Sequence, residues 1–230
     1  MRFFFLGLFL ATAQAHEQLL LVIAEDMNRS AAQLQRYEQK EGVWKAIGRT
    51  VSVNLGRNGL GWGIGTPAPL PHDPSDPLKH EGDGRAPAGI FTLGPVFGYA
   101  ARIATAMPYV QATKALVCID DSRASSYNRV VPIRPDLIFG SFEWMRREDE
   151  LYKIGVVVGH NEAAEPGRGS CIFLHIERAP GAGTAGCTSM NAAALAALIR
   201  WLDPAKAPLL IQVPRKSLPA LRKRFPGVGP

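Results

Sequence analysis

The apolar residues of this chain fall mostly into short runs bounded by turn-forming residues, a pattern that favours strands over helices. The runs are QLLLVIA (18–24), TVSVNLG (50–56), IFTLG, ALVCIDD (115–121), SYNRVVPI, IGVVVGHN, SCIFLHIER and PLLIQVP. One segment, MNAAALAALIRWL, instead places Leu195, Leu198, Ile199 and Leu202 on a single helical face. The sequence therefore predicts a mainly β protein with one prominent α-helix, capped by Thr188 or Ser189 and ended by Asp203-Pro204.

The remaining segments divide into turns and one long loop. Lys40-Glu41-Gly42 interrupts an alternating segment, as the turn of a hairpin would. Residues 56–89 are rich in Gly, Pro and His, and long loops inside compact domains are usually functional or mobile. The segment SFEWMRREDELYK has mixed helical character and predicts a short helix or a lid.

The N-terminus has the pattern of a cleavable export signal. Arg2 precedes an apolar stretch, and Ala13-Gln14-Ala15 forms a small-x-small cleavage site before His16. The stretch is short for a bilayer span, and a buried first strand is the alternative. We expect a signal peptide over 1–15, a single domain over 16–214, a loosely held basic tail over 215–230, and export to the periplasm or cell envelope.

The net charge of +6 favours a polyanionic partner, such as nucleic acid, anionic lipid or an acidic envelope polymer. The sequence contains no nucleic-acid-binding motif and no stable membrane span, and it leaves the oligomeric state open. Three cysteines, Cys118, Cys171 and Cys187, predict one disulfide and one free thiol in an oxidising compartment. Composition does not say which cysteine is free.

Cys187 follows a Gly-rich loop and directly precedes the predicted helix. A helix N-terminus stabilises a thiolate, and its free N–H groups can receive an oxyanion. His175, on the strand before that loop, is the candidate general base. The alternative from the residues alone is an inert buried cysteine beside a core histidine.

Three segments together resemble the YkuD-type L,D-transpeptidase family. Thr184-Ala185-Gly186-Cys187 resembles its cysteine motif, His175 in FLHI its strand-borne histidine, and Ala86-Pro87-Ala88-Gly89-Ile90-Phe91 its upstream segment. The segments occur in family order over residues 85–190. The sequence departs from much of the family at Ile176, Ala185 and Thr188-Ser189, where Gly, His and a nearby Arg are common, so the resemblance is to a divergent branch.

The resemblance implies a β-sandwich or barrel-like catalytic domain that acts on the stem peptides of peptidoglycan without a cofactor. His175 would take the thiol proton, and Cys187 would form a thioester with a tetrapeptide stem, releasing D-Ala. An amine of another stem would then resolve the thioester as a cross-link. Gly186 would contribute its backbone to the oxyanion site or to orientation, and a carbonyl in 183–186 would orient His175.

The resemblance also implies which cysteine is free. If Cys187 is the nucleophile, Cys118 and Cys171 form the disulfide. His160 is a candidate second base or substrate contact, with a local bond to Asn161 as the alternative. The residues predicted to clamp stem carboxylates, or else to be surface charges, are Arg178, Arg85, Lys79 and Arg168. The segment 79–85 is a candidate for the cleft lining.

Three alternatives to transpeptidation remain open at this point. An L,D-carboxypeptidase or amidase of the same fold would use water as the acceptor. A zinc hydrolase would draw ligands from His72, His80, His160 or His175, although their spacing matches no known ligand pattern. A non-catalytic peptidoglycan-binding module would not need Cys187 at all.

Overall fold

The computed structural model describes residues 15–65 and 69–229. The predicted signal peptide, apart from Ala15, lies outside the described residues. No helix in the described part of the chain is long and apolar enough to cross a membrane.

The chain is mainly β, as the sequence predicts. Its strands are β1 Gln18–Ala24, β2 Ala31–Lys40, β3 Val43–Asn54, β4 Leu60–Trp62, β5 Ala86–Gly98, β6 Tyr109–Gln111, β7 Leu116–Ile119, β8 Arg129–Pro132, β9 Phe142–Trp144, β10 Ile154–Val158, β11 Phe173–Ile176, β12 Thr188–Met190 and β13 Leu209–Pro214. The helices are α1 Ala192–Trp201 and α2 Leu218–Arg224, and single 3₁₀ turns occupy Pro204–Lys206 and Arg215–Ser217.

The main sheet closes on itself. Its strands follow the order β10-β11-β12-β3-β2-β1-β13-β5, and β5 also pairs with β10, which completes a barrel-like ring. The long strand β5 makes closure possible because residues 89–92 pair with β13 while residues 93–98 pair with β10. Closure removes the exposed edges that an open sheet would leave.

Part of the predicted loop over 56–89 belongs to this sheet. The short strand β4 pairs in parallel with residues 86–88 of β5, and Trp62 forms a bridge to Leu78. Both ends of this loop are therefore held by pairing with the sheet, close to the turn at Gly56–Arg57.

Helix α1 begins later than predicted. Its N-cap is Asn191, whose side chain accepts a hydrogen bond from the Ala194 N–H, and not Thr188 or Ser189. Those two residues belong to β12, which lies between Cys187 and the helix. The prediction that Cys187 sits at a helix N-terminus is therefore wrong.

A smaller sheet of order β8-β7-β9 lies beside the barrel. The Cys118–Cys171 disulfide, with Cα atoms 6.0 Å apart, joins its central strand to the loop before β11 and leaves Cys187 as the free thiol. This confirms the predicted disulfide. The short helix predicted as one possibility for SFEWMRREDELYK is wrong, because that segment forms β9 followed by turns.

The C-terminal segment is not loosely held. Its apolar residues Leu218, Leu221, Phe225 and Val228 are buried in the main core, and the Phe225 ring lies 6.1 Å from that of Trp44. The basic residues of α2 follow one another between Leu221 and Phe225 and are exposed. The described part of the predicted tail is therefore an integral part of the domain.

Candidate active site

A pocket of about 570 Å³ opens where the loop before Cys187 meets the small sheet. It brings together the two residues that the sequence predicted as nucleophile and base. The lining comprises Arg57, Lys79, Glu81, Gly82, Asp120, Glu143, Arg147, Leu151, Tyr152, Ser170, Cys171, Ile172, His175, Arg178, Ala182, Gly183, Thr184, Ala185, Gly186, Cys187 and Ser189.

Thr184 fixes the turn that presents Cys187. Its backbone N–H donates to the Leu55 carbonyl at 2.9 Å, and its own carbonyl accepts from the Arg57 N–H at 2.8 Å. Its hydroxyl donates to the Cys187 carbonyl at 2.6 Å and accepts from the Gly186 N–H at 3.1 Å. The Gly186 N–H is thus bonded within the turn, so it is not free to bind an oxyanion, which is one of the two roles that the resemblance implied for the Gly186 backbone.

The Cys187 thiol is buried, with 7% of the residue exposed. The Phe173 N–H donates to its sulfur at 3.3 Å, and the sulfur lies 3.5 Å from the Cys171 carbonyl oxygen. Burial and the nearby Glu143 carboxyl raise the pKa of the Cys187 thiol to about 12, although the Phe173 N–H and the Tyr152 hydroxyl oppose this rise. The predicted lowering of the pKa by a helix terminus is therefore wrong.

His175 lies on β11 opposite Gly155 and Ser189. Its Nδ1 lies 2.7 Å from the Ile176 carbonyl oxygen. A carbonyl can only accept, so this contact places the proton on Nδ1 and leaves the Nε2 lone pair free to act as a base. The orienting carbonyl predicted in 183–186 is instead that of Ile176. Burial lowers the pKa of His175 to about 4, so the ring is neutral near pH 7.

Tyr152 and Glu143 complete the inner wall and were not singled out from the sequence. The Tyr152 ring packs edge-on against His175 with centroids 5.3 Å apart, and its hydroxyl donates to Glu143 Oε2 at 2.7 Å. Burial raises the pKa of both Glu143 and Tyr152. Both residues come from the segment interpreted as a helix or lid, so no periodic pattern marked their side chains as facing Cys187.

The predicted carboxylate clamps divide into two groups. Lys79 and Arg178 line the pocket, although Lys79 is only 3% exposed and pairs with Asp83 at 2.6 Å. Arg85 lies elsewhere, since its guanidinium donates to the Met27 and Leu60 carbonyls at 3.0 and 2.8 Å. Arg168 is also absent from the lining. Arg85 and Arg168 are therefore wrong as clamps.

Two arginines in the pocket were missed. Arg147 reaches it from the turn after β9 and pairs with Asp149 at 2.8 Å. Arg57 reaches it from the turn between β3 and β4. Each lies far from Cys187 in sequence, so only the tertiary fold relates them to the nucleophile.

His160 does not reach this pocket. It is 2% exposed, its Nε2 bonds to the Arg168 carbonyl at 3.0 Å, and its ring packs edge-on against Phe91. It lines a separate apolar pocket of about 310 Å³, and burial lowers its pKa to about 4. The predictions of a second base and of a bond to Asn161 are both wrong.

The histidines proposed for a zinc site are dispersed. His72 stacks on Trp62 with ring centroids 4.6 Å apart, while His160 and His175 line different pockets. Among residues 15–65 and 69–229, no group of three His, Cys, Asp or Glu side chains is placed to hold a metal ion. The zinc alternative therefore lacks a ligand set in the described part of the chain.

The fold and site define a class: a mainly β protein with a closed sheet and a free cysteine that shares a pocket with a neutral histidine. Comparison with protein-family models, curated proteins and solved structures finds no match for this chain.

Proposed function

We propose that the protein is an exported L,D-transpeptidase of the YkuD type that uses Cys187 as nucleophile and His175 as base on peptidoglycan stem peptides. One observation carries the proposal: the free thiol of Cys187 and the neutral ring of His175 line the same pocket, although twelve positions apart in sequence. The TAGC and APAGIF segments, which resemble the family, support it. The disulfide and the N-terminal sequence pattern agree with an oxidising destination such as the periplasm.

Before acylation, the Cys187 thiol and the His175 ring are both uncharged. The pKa of the Cys187 thiol is raised and that of His175 is lowered, so a resting thiolate–imidazolium pair is disfavoured. The proton therefore moves from Cys187 Sγ to His175 Nε2 as the sulfur attacks the substrate carbonyl. Keeping the thiol protonated at rest limits its oxidation, because the thiolate is the reactive form.

The covalent steps balance as a two-stage acyl transfer. Attack forms the Sγ–C bond of a tetrahedral intermediate, which collapses as the C–N bond to the terminal D-Ala breaks. The imidazolium of His175 protonates the departing amine and returns to its neutral form. An amine of a second stem then attacks the thioester, gives a proton to His175, and releases Cys187 as the thiol once the new amide has formed.

The decisive experiment incubates the protein with sacculi and separates the muropeptides. Cross-linked dimers are expected with the wild-type protein and not with Cys187→Ala. Loss of tetrapeptides without dimers would identify water as the acceptor, and an effect that survives Cys187→Ala would support a binding module.

A second measurement detects the thioester itself. After an acid quench, intact mass should show one acyl adduct on the wild-type protein and none on Cys187→Ala. His175→Gln should slow adduct formation strongly, whereas His160→Gln is the matched control because that histidine is equally buried and lies outside the pocket. Equal slowing by both variants would contradict the role of His175.

A further inference from the structure

Four basic residues line the pocket, and two of them already have carboxylate partners. Lys79 Nζ lies 2.6 Å from Asp83, and the Arg147 guanidinium donates two hydrogen bonds to Asp149 at 2.9 and 2.8 Å. Their charges are thus balanced within the protein. The other two basic residues, Arg57 and Arg178, have no carboxylate partner among the described residues.

Arg57 is held in place on the pocket wall. Its backbone is bonded to Thr184, and its Cα lies only 2.7 Å from where a Cβ on Gly183 would stand. Its guanidinium passes over Gly84, where an added Cβ would be 2.9 Å from Cζ. Two glycines thus make room for the arginine against the loop that carries Cys187 and against segment 79–85.

Arg178 reaches the same pocket from the residues after β11, and its charge lowers the pKa of Asp149 only from a distance. Both arginine residues are exposed. Within the described residues, neither makes a side-chain hydrogen bond or an ion pair. An arginine that lines a pocket without a carboxylate partner can bind a ligand carboxylate through two parallel hydrogen bonds.

We propose that Arg57 and Arg178 form an anion subsite that selects stem peptides with a free carboxylate near the scissile bond. This inference rests on the proposed function. The carboxylate is supplied either by the C-terminus of the stem or by one of its side chains, and both would offer the same two oxygens to the arginines.

The test measures binding to Cys187→Ala protein, which prevents turnover. Three synthetic tetrapeptide stems are compared: one with free carboxylates, one amidated at its C-terminus, and one amidated on its side-chain carboxyl. We expect one of the two amidations to weaken binding about tenfold, because a charge-assisted hydrogen bond is lost. Arg57→Gln and Arg178→Gln, each combined with Cys187→Ala, should weaken binding of the peptide with free carboxylates. Its affinity should then be close to that of the amidated peptide that binds weakly.

Arg102→Gln is the matched control, since Arg102 is exposed, lies outside the pocket and carries the same charge. The inference is overturned if both amidated peptides bind as well as the free one, or if the three arginine variants behave alike. Failure of all peptides to bind, with sacculi unchanged by the wild-type protein, would overturn the proposed function as well. Turnover of sacculi without carboxylate discrimination would overturn the anion subsite alone.

Discussion

The hydroxyl of Tyr152 interacts with the Glu143 carboxyl and also lowers the pKa of the Cys187 thiol. It donates to Glu143 Oε2 at 2.7 Å in the resting state and favours the thiolate of Cys187. One hydroxyl proton cannot serve two acceptors fully at once. We expect the proton to shift its hydrogen bond from the carboxyl to the sulfur when the sulfur gains negative charge.

Tyr152→Phe should therefore slow alkylation of Cys187 by iodoacetamide about tenfold at neutral pH, because a hydrogen bond to a charged acceptor is lost. The fluorescence or intact-mass time course measures the rate. Tyr109→Phe is the control, since that hydroxyl bonds to the Ala100 carbonyl outside the pocket. If Tyr152→Phe and the wild-type protein were alkylated at equal rates, the Tyr152 hydroxyl would not contribute to the reactivity of the Cys187 sulfur.

For the proposed transpeptidase reaction, the pH dependence of kcat/KM should have its acidic limb near pH 4. Burial lowers the pKa of His175 to about 4, and only the neutral ring can accept the thiol proton. Activity should therefore persist as the pH falls from 7 to 5 and be lost below about 4. A limb near the ordinary histidine pKa of about 6.5 would show that the ring is solvated in the free enzyme.

Acid should destabilise the fold through His160. Its pKa is lowered to about 4 in the folded state, so the unfolded state binds a proton first as the pH falls below about 6.5. This contribution to the free energy of unfolding is complete above pH 6.5 and is lost between pH 6.5 and 4, by about 3 kcal/mol.

Urea unfolding at pH 7 and pH 4.5 measures the effect. His160→Gln should lose less stability than the wild-type protein between these two pH values, because glutamine does not titrate. An identical loss in both proteins would place the pH sensitivity elsewhere.

The Cys118–Cys171 disulfide should support both stability and the site. It closes a loop with a sequence separation of 53, so its removal should cost about 4 kcal/mol in a chain-entropy estimate. Since the Cys171 carbonyl lies 3.5 Å from the Cys187 sulfur, Cys118→Ser should also lower acylation. Denaturant unfolding measures the stability, and the intact mass of the acyl adduct measures acylation. Alkylation of more than one thiol in the wild-type protein without reductant would disprove the bond.

Much of the fold was predictable because local patterns determine it. The apolar runs predicted β1 with its observed bounds and also the strands β10, β11 and β13, because strand burial follows from hydrophobicity along the chain. The break in the alternating segment predicted the turn at Glu41-Gly42. The free thiol of Cys187, the disulfide and the position of His175 on a strand also agree with the sequence. The strand position of His175 depends on residue type and near neighbours, whereas the pairing of the cysteines was implied by the family resemblance.

The protonation states and the pocket lining were decided by tertiary structure. Cys187 precedes β12 instead of a helix, so burial raises the pKa of its thiol where local sequence predicted a decrease. Arg57, Glu143 and Tyr152 reach the pocket from segments distant along the chain, while Arg85 is drawn away to backbone carbonyls. Burial and long-range electrostatics depend on which elements meet in space, and the sequence of each element alone does not determine that.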